Sequence, residues 1–177
     1  MKVVTVGRGN IGGGLGELWR KAGHEVTELG RDGGDASGAD AVLLAVPAGA
    51  VAAALGSVSG LGRAPVIDAT NVIRDPRPDG FQSIAEYVKS VTGAPVAKAF
   101  SASFARLFGE LGSITEPPSM VFAADADARE VTETLSRDAG YDPIFAGDLS
   151  AARAVEDFLE ILFAISQQRG PFFYRIL

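Results

Sequence analysis

Residues 2–18 read KVVTVGRGNIGGGLGEL, and this stretch decides the fold. Val3-Val4-Thr5-Val6 is a β-branched run of the kind that forms a buried parallel strand. It runs straight into Gly7-Arg8-Gly9-Asn10-Ile11-Gly12, which fits G-x-G-x-x-G, and then into Leu15, Leu18 and Trp19 at helical spacing. Each glycine of that pattern has its own task. Gly7 allows a tight turn off the strand, Gly9 lets backbone amides approach a pyrophosphate, and Gly12 lets the helix pack close to the strand. The helix start then offers unpaired N–H groups and the positive end of a dipole to phosphates. Arg8, Asn10 and Ile11 are expected to add main-chain or side-chain contacts. In a chain with 22 glycines the bare pattern is weak. Its place between a strand and an amphipathic helix is what gives it force.

Downstream, Lys21-Ala22-Gly23-His24 reads as a helix end with Gly23 at the C-cap, and His24 to Leu29 as the second strand. The tip of that strand is where a dinucleotide-binding sheet chooses its cofactor. An acidic residue there holds the ribose 2′-OH of NAD, and an arginine accommodates the 2′-phosphate of NADP. The tip reads Leu29-Gly30-Arg31-Asp32, with Glu28 still inside the strand. Arg31 favours NADP(H), and Asp32 beside it is the argument for NAD. Residues 32–40 are full of breakers and join the second strand to the apolar run Ala41–Val46. A parallel crossover needs about a dozen residues or more, so this one reads as a loop from which the usual helix is missing.

Pro47 ends the third strand, and Ala48 to Leu55 fits a short alanine-rich helix. Ala64 to Asp68 is the fourth strand; Thr70 and Asn71 follow at its carboxyl edge, where ligands bind in open α/β sheets. A proline-rich loop over 74–80 leads to a helix over 84–91 capped by Ser83. Pro95 to Phe100, Ser119 to Ala124 and Asp142 to Gly147 complete about seven strands. Helical stripes lie at Phe104–Leu111, 127–139 and 149–167. The tail Gly170-Pro171-Phe172-Phe173-Tyr174-Arg175-Ile176-Leu177 is apolar; it either docks on its own sheet or meets a second copy. With the wide apolar surface of the last helix, it suggests a homodimer through 151–177. The pattern is α/β, one Rossmann-type, doubly wound, mostly parallel sheet domain spanning residues 1–177.

Composition removes other classes. At 47% hydrophobic and 21% charged, the chain has the make-up of an ordinary folded domain. A net charge of −6 argues against nucleic-acid binding. There is no cysteine, hence no disulfide framework and no thiolate chemistry. No charge falls between Ala41 and Gly62, but Pro47, Gly49, Gly56 and Gly60 interrupt that run, so strand, turn and buried helix account for it better than a membrane span. A basic n-region with an apolar core is absent, and a cytoplasmic location is expected. His24, the one histidine, reads as a surface turn residue on the edge opposite the ligand, which excludes a histidine triad or metal site. No catalytic acid–base pair stands out. Hydride transfer between two bound cofactors needs none, because the cofactors carry the chemistry.

A resemblance now has residues to stand on. GRGNIG at 7–12, the arginine ending the second strand, AVLLAVP at 41–47, VIDATN at 66–71, VAKAF at 96–100 and AGDLSAAR at 146–153 occur in one order. That order resembles the NADPH-dependent reductases of the deazaflavin coenzyme F-420 and related dinucleotide-binding oxidoreductases, over nearly the whole chain. The resemblance implies NADP(H) held by the glycine loop and Arg31. It further implies that Val46, Pro47, Thr70, Asn71, Ala99 and Phe100 line a cleft where nicotinamide meets a flavin-like ring, with F-420 or a flavin as the small-molecule redox partner. The chain departs from that pattern in four places: Arg8 replaces a small residue, Gly30 replaces the serine before Arg31, Ser101 replaces an asparagine, and the 32–40 crossover is short. Two other activities fit the same residues: reduction of a small organic substrate, and NADP sensing without turnover.

Overall fold

The computed structural model describes residues 1–73 and 76–177; Arg74 and Asp75, in the expected proline-rich loop, lie outside them. In chain order the elements are β1 (Lys2–Val6), α1 (Asn10–Lys21), β2 (Glu25–Leu29), β3 (Gly34–Asp35), β4 (Ala41–Leu44), α2 (Val51–Ser57), β5 (Val58–Ser59), β6 (Val66–Asp68), α3 (Ile84–Thr92), β7 (Val96–Lys98), β8 (Ser119–Ala124), α4 (Ala126–Asp138), β9 (Asp142–Gly147) and α5 (Ala152–Arg169). Short 3₁₀ stretches cover Ala48–Ala50, Ala105–Ser113 and Leu149–Ala151.

The main sheet has seven strands in the order β2-β1-β4-β6-β7-β8-β9. Every neighbouring pair is parallel except β7 and β8. The chain runs from β1 outward to β2 and returns to β4 on the other side of β1, which makes the gap between β1 and β4 the switch point of a doubly wound sheet. The expected fold class holds.

Side-chain alternation along the strands feeds two cores. Val4, Val6, Val42, Leu44 and Val66 face Val51, Leu55, Ile84, Val88 and Val155 on one side of the sheet. Val3, Leu43, Ile67 and Ala97 face Leu15, Trp19, Phe108 and Leu135 on the other. Trp19 is fully buried, and its indole N–H donates to the Leu135 carbonyl oxygen at 2.8 Å. Helix ends follow the sequence signals closely. Gly23, with φ +92, sits one residue past the cap Ala22, and His24 N–H bonds back to the Trp19 carbonyl at 2.9 Å. At the start of α3 the Ser83 hydroxyl accepts from the Glu86 amide at 3.1 Å while itself buried. Ser83→Ala is expected to cost about 1 kcal/mol of stability, read as a lower denaturant midpoint; an unchanged midpoint would show that the amide finds water instead.

Two local expectations change, and an open alternative is resolved. The 32–40 crossover has no helix, as expected, yet it carries the two-residue β3, paired in parallel with β5 in a miniature second sheet. His24 is no free surface residue: its side chain is 8% exposed, Nε2 lies 2.8 Å from Asp138 Oδ2, and Nδ1 lies 3.3 Å from the Met1 amino group. The tail docks on its own sheet. The Tyr174 carbonyl accepts from Ser119 N–H at 2.9 Å, Ile176 N–H donates to Ser119 Oγ at 2.9 Å, and the Tyr174 ring packs on Phe158. The uncharged run 41–62 resolves into β4, a 3₁₀ turn, α2 and β5, and no helix among the described residues is long and apolar enough to cross a membrane.

Candidate functional site

The site is built where β1 stops. Gly7 has φ +103, and its N–H donates to the Leu29 carbonyl at 3.0 Å, tying the loop to the end of β2. A Cβ at Gly7 would stand 2.3 Å from the Ala45 carbonyl oxygen, and one at Gly12 would stand 1.8 Å from the Gly7 oxygen. Both glycines are therefore demanded by packing of backbone on backbone. Gly9 differs: its φ is −78, and nothing lies within 4 Å of the Cβ it lacks. It caps α1 with no side-chain hydrogen bond, so the first amides of the helix keep their donors.

Beyond this loop opens a cleft of about 430 Å³, a size suited to a cofactor. Gly9, Asn10 and Ile11 form one wall, and Ala45, Val46, Pro47 and Ala48 continue from β4. Ala69, Asn71 and Ile73 come from the end of β6, and Phe163 reaches in from α5. The cleft sits at the switch point, as the sheet order requires. Its lining is largely apolar and holds no titratable side chain among the described residues. It also has no acid–base couple, and no group of side chains among the described residues could hold a metal ion.

The expected site residues divide. Gly9, Asn10, Ile11, Val46, Pro47 and Asn71 meet in the cleft, with Gly7 and Gly12 supporting the loop from behind. Arg8 and Arg31 are exposed near the end of β2, and Arg31 forms the turn Gly30–Gly33 with Asp32. Among the described residues, Arg8, Arg31 and Asp32 make no ion pair, whereas Glu28 is held by Arg20 at 2.6 Å. Thr70 is buried just behind the cleft: its N–H and hydroxyl both donate to Asp68 Oδ1, at 2.9 and 2.6 Å. Ala99 and Phe100 are not brought to the cleft. Both are fully buried, and the Phe100 ring packs edge-on against Trp19 (5.9 Å) and Tyr141 (6.3 Å) on the α1–α4 side. A φ of +59 at Phe100 turns the chain there, which strand alternation alone does not show.

Two features escaped the sequence reading. The first is Phe163, which an amphipathic stripe assigns to core or interface rather than to the cleft. The second is a buried charge cluster behind Thr70. Lys98 on β7 is fully buried, with Nζ 2.9 Å from Asp68 Oδ2, 2.7 Å from the Thr70 carbonyl and 3.4 Å from Glu156 Oε1. Glu156, on α5, also accepts from the Ile84 N–H at 2.8 Å and from Arg77 Nε at 2.8 Å. Arg77 reaches on to Asp157. Burial alone would lower the Arg77 pKa, but its hydrogen bonds to Glu156 and Asp157 outweigh that and hold it above its ordinary value. A lysine inside a parallel strand, where both faces are covered, was the available signal.

No family model matches the chain, and no characterised protein matches it in sequence at a significant level. Solved structures do match its fold. A candidate F420-dependent NADP reductase from Arthrobacter sp. FB24 aligns over 99% of this chain and 98% of its own, with TM-score 0.80 and 22% identity. A hypothetical protein from Sinorhizobium meliloti aligns over 88% of both chains, with TM-score 0.67 and 25% identity. An Aspergillus terreus imine reductase, solved with NADPH4 and dibenz[c,e]azepine, has TM-score 0.65 at 13% identity over 96% of this chain and 62% of its own. These likenesses establish a Rossmann-like α/β fold shared with reductases.

Proposed function

We propose that this chain is an NADP(H)-dependent oxidoreductase that passes hydride between the nicotinamide and a flavin-like partner, by resemblance the deazaflavin coenzyme F-420. The observation that carries the proposal is the switch-point cleft, with uncapped α1 amides on its wall and, near the end of β2, two arginines that make no ion pair among the described residues. The fit to a dinucleotide rests on space and donors: Gly9 leaves its Cβ position open, and the helix start has no side chain occupying its N–H groups. Gly9, Asn10 and Ile11 would hold the pyrophosphate, and Arg31 the 2′-phosphate. Ile11, Val46, Pro47, Ala69 and Phe163 offer apolar walls that orient flat rings and exclude water. When bound, the two cofactors supply the hydride chemistry themselves, which suits a cleft without an acid–base pair. The likeness in fold to a candidate F420-dependent NADP reductase over almost the full length of both chains supports the same choice of partner.

The test is absorbance of oxidised F-420 with NADPH against NADH. Bleaching with NADPH and little with NADH is the expected result. NADPH binding without bleaching would keep the nucleotide and reject the deazaflavin. The imine reductase likeness favours one second reading, reduction of a small imine or ketone; NADPH oxidation by such compounds with no flavin added would select it. Arg31→Ala should weaken NADPH at least about tenfold more than NADH, the worth of one charge-assisted hydrogen bond. Equal losses in a titration of both nucleotides would remove Arg31 from the 2′-phosphate site.

A further inference from the structure

Arg8 and Gly30 are two departures from the reductase pattern, 22 positions apart, and in space they are one feature. The Arg8 side chain does not line the cleft, although Gly9, Asn10 and Ile11 beside it do. Its guanidinium lies flat over Gly30: a Cβ added there would stand 3.1 Å from Arg8 Cζ and 3.2 Å from both Nε and Nη2. Gly30 is absent from the residues with positive φ, so its backbone does not call for glycine. What it provides is room, and Arg8 takes it. The arginine of the phosphate loop is thereby carried to the tip of β2, against the residue that precedes Arg31. Neither arginine has an ion-pair partner among the described residues, and Asp32, the carboxylate of the same turn, pairs with neither. Arg31 follows Gly30 in the chain, so two cationic residues are brought to the tip of β2, where a doubly charged anion would be attracted by both.

We infer that Arg8 and Arg31 form a two-arginine clamp for the ribose 2′-phosphate of NADP(H), with Gly30 leaving the space over which the Arg8 guanidinium lies. The inference rests on the nucleotide reading above and extends it. A 2′-phosphomonoester carries close to two negative charges and three acceptor oxygens, enough for two planar guanidinium forks at once. A serine at position 30 would compete with Arg8 for the same space.

The experiment uses fragments that cannot undergo redox chemistry, so it does not depend on the second substrate. Binding of 2′,5′-ADP and of 5′-AMP is measured by calorimetry for the wild type, R8T, G30S and the R8T/G30S pair, with NADPH and NADH run alongside. R8T should lose about tenfold to a hundredfold on 2′,5′-ADP and NADPH, while 5′-AMP and NADH stay within about twofold, which also shows that the variant is folded. G30S should show a selective loss of the same kind and no larger than that of R8T, and adding it to R8T should cost nothing more, because position 30 acts through Arg8. Equal weakening of all four ligands by R8T would place Arg8 on the adenosine 5′-phosphate that all four share and overturn the clamp, as would independent, additive losses in the pair. A wild type that prefers 2′,5′-ADP yet is unaffected by R8T overturns the clamp alone. A wild type that binds neither NADPH nor NADH overturns the clamp and the nucleotide reading together.

Discussion

Lys98→Met is expected to remove about 3–5 kcal/mol of folding free energy, seen as a lower urea midpoint with an unchanged slope. Lys98 is fully buried and is the shared cation of two buried carboxylates, Asp68 at 2.9 Å and Glu156 at 3.4 Å. Methionine fills much of the volume but supplies no charge and no donor. Asp68 would keep only the Thr70 N–H and hydroxyl, and Glu156 would keep Arg77 and the Ile84 N–H. Two carboxylates would then face one another in a site that excludes water. Arg77→Met should cost less. Arg77 is partly exposed, and its loss leaves Lys98 and the Ile84 N–H on Glu156. A loss under about 1 kcal/mol for Lys98→Met, the range of an exposed ion pair, would show that the cluster is open to solvent and does not hold the fold together.

The same cluster explains how the cleft keeps its shape. Asp68 fixes the turn that presents Asn71, because Thr70 is bonded to it twice. Glu156 ties α5 to the start of α3 and to β7, and Phe163 lies seven residues further along the same helix. Residues seven apart share a helix face, so the anchoring of Glu156 sets where Phe163 overhangs the cleft.

Local sequence reveals local causes. The strand–glycine loop–helix run, the Ser83 cap and the Gly23 ending were legible because propensity and pattern act within a few residues of one another. The cleft was legible to the same extent: residues 9–11, 46–47 and 71 lie at strand ends that the sheet order must bring together. What escaped depends on partners distant in the chain. Lys98 in VAKAF stands out as a charge in an apolar strand, but its partner Glu156, 58 residues away, does not. Gly34-Asp35 has no strand pattern at all and pairs because Gly33, at φ +72, lets the backbone close on Ser57. The resemblance places Phe100 in the cleft, whereas the chain turns there at a positive φ and the ring packs in the core. Arg8 and Gly30 each look like a defect when read alone and make sense only as a pair.

Gly9→Ala and Gly12→Ala should separate the two demands that the glycine loop satisfies. At Gly12 the added methyl would stand 1.8 Å from the Gly7 carbonyl oxygen and 3.0 Å from its carbon. That obstacle is backbone, so no rotamer change relieves it. Helix α1 must move away from β1, and a loss of about 1–3 kcal/mol or more is expected, with nucleotide binding lost alongside. At Gly9 the methyl meets nothing within 4 Å, and φ −78 suits alanine. Stability should change by less than about 1 kcal/mol, because the stiffer unfolded chain is offset by the poorer N-cap that alanine makes. Binding of NADPH and NADH should nevertheless fall together by about tenfold or more, 1.4 kcal/mol at least, because the pyrophosphate is common to both and is what needs the space. That equal loss contrasts with the selective losses expected for Arg31 and Arg8. A Gly9→Ala protein that binds both nucleotides like the wild type would mean that the loop serves packing alone, and the cleft would have to be assigned to another ligand.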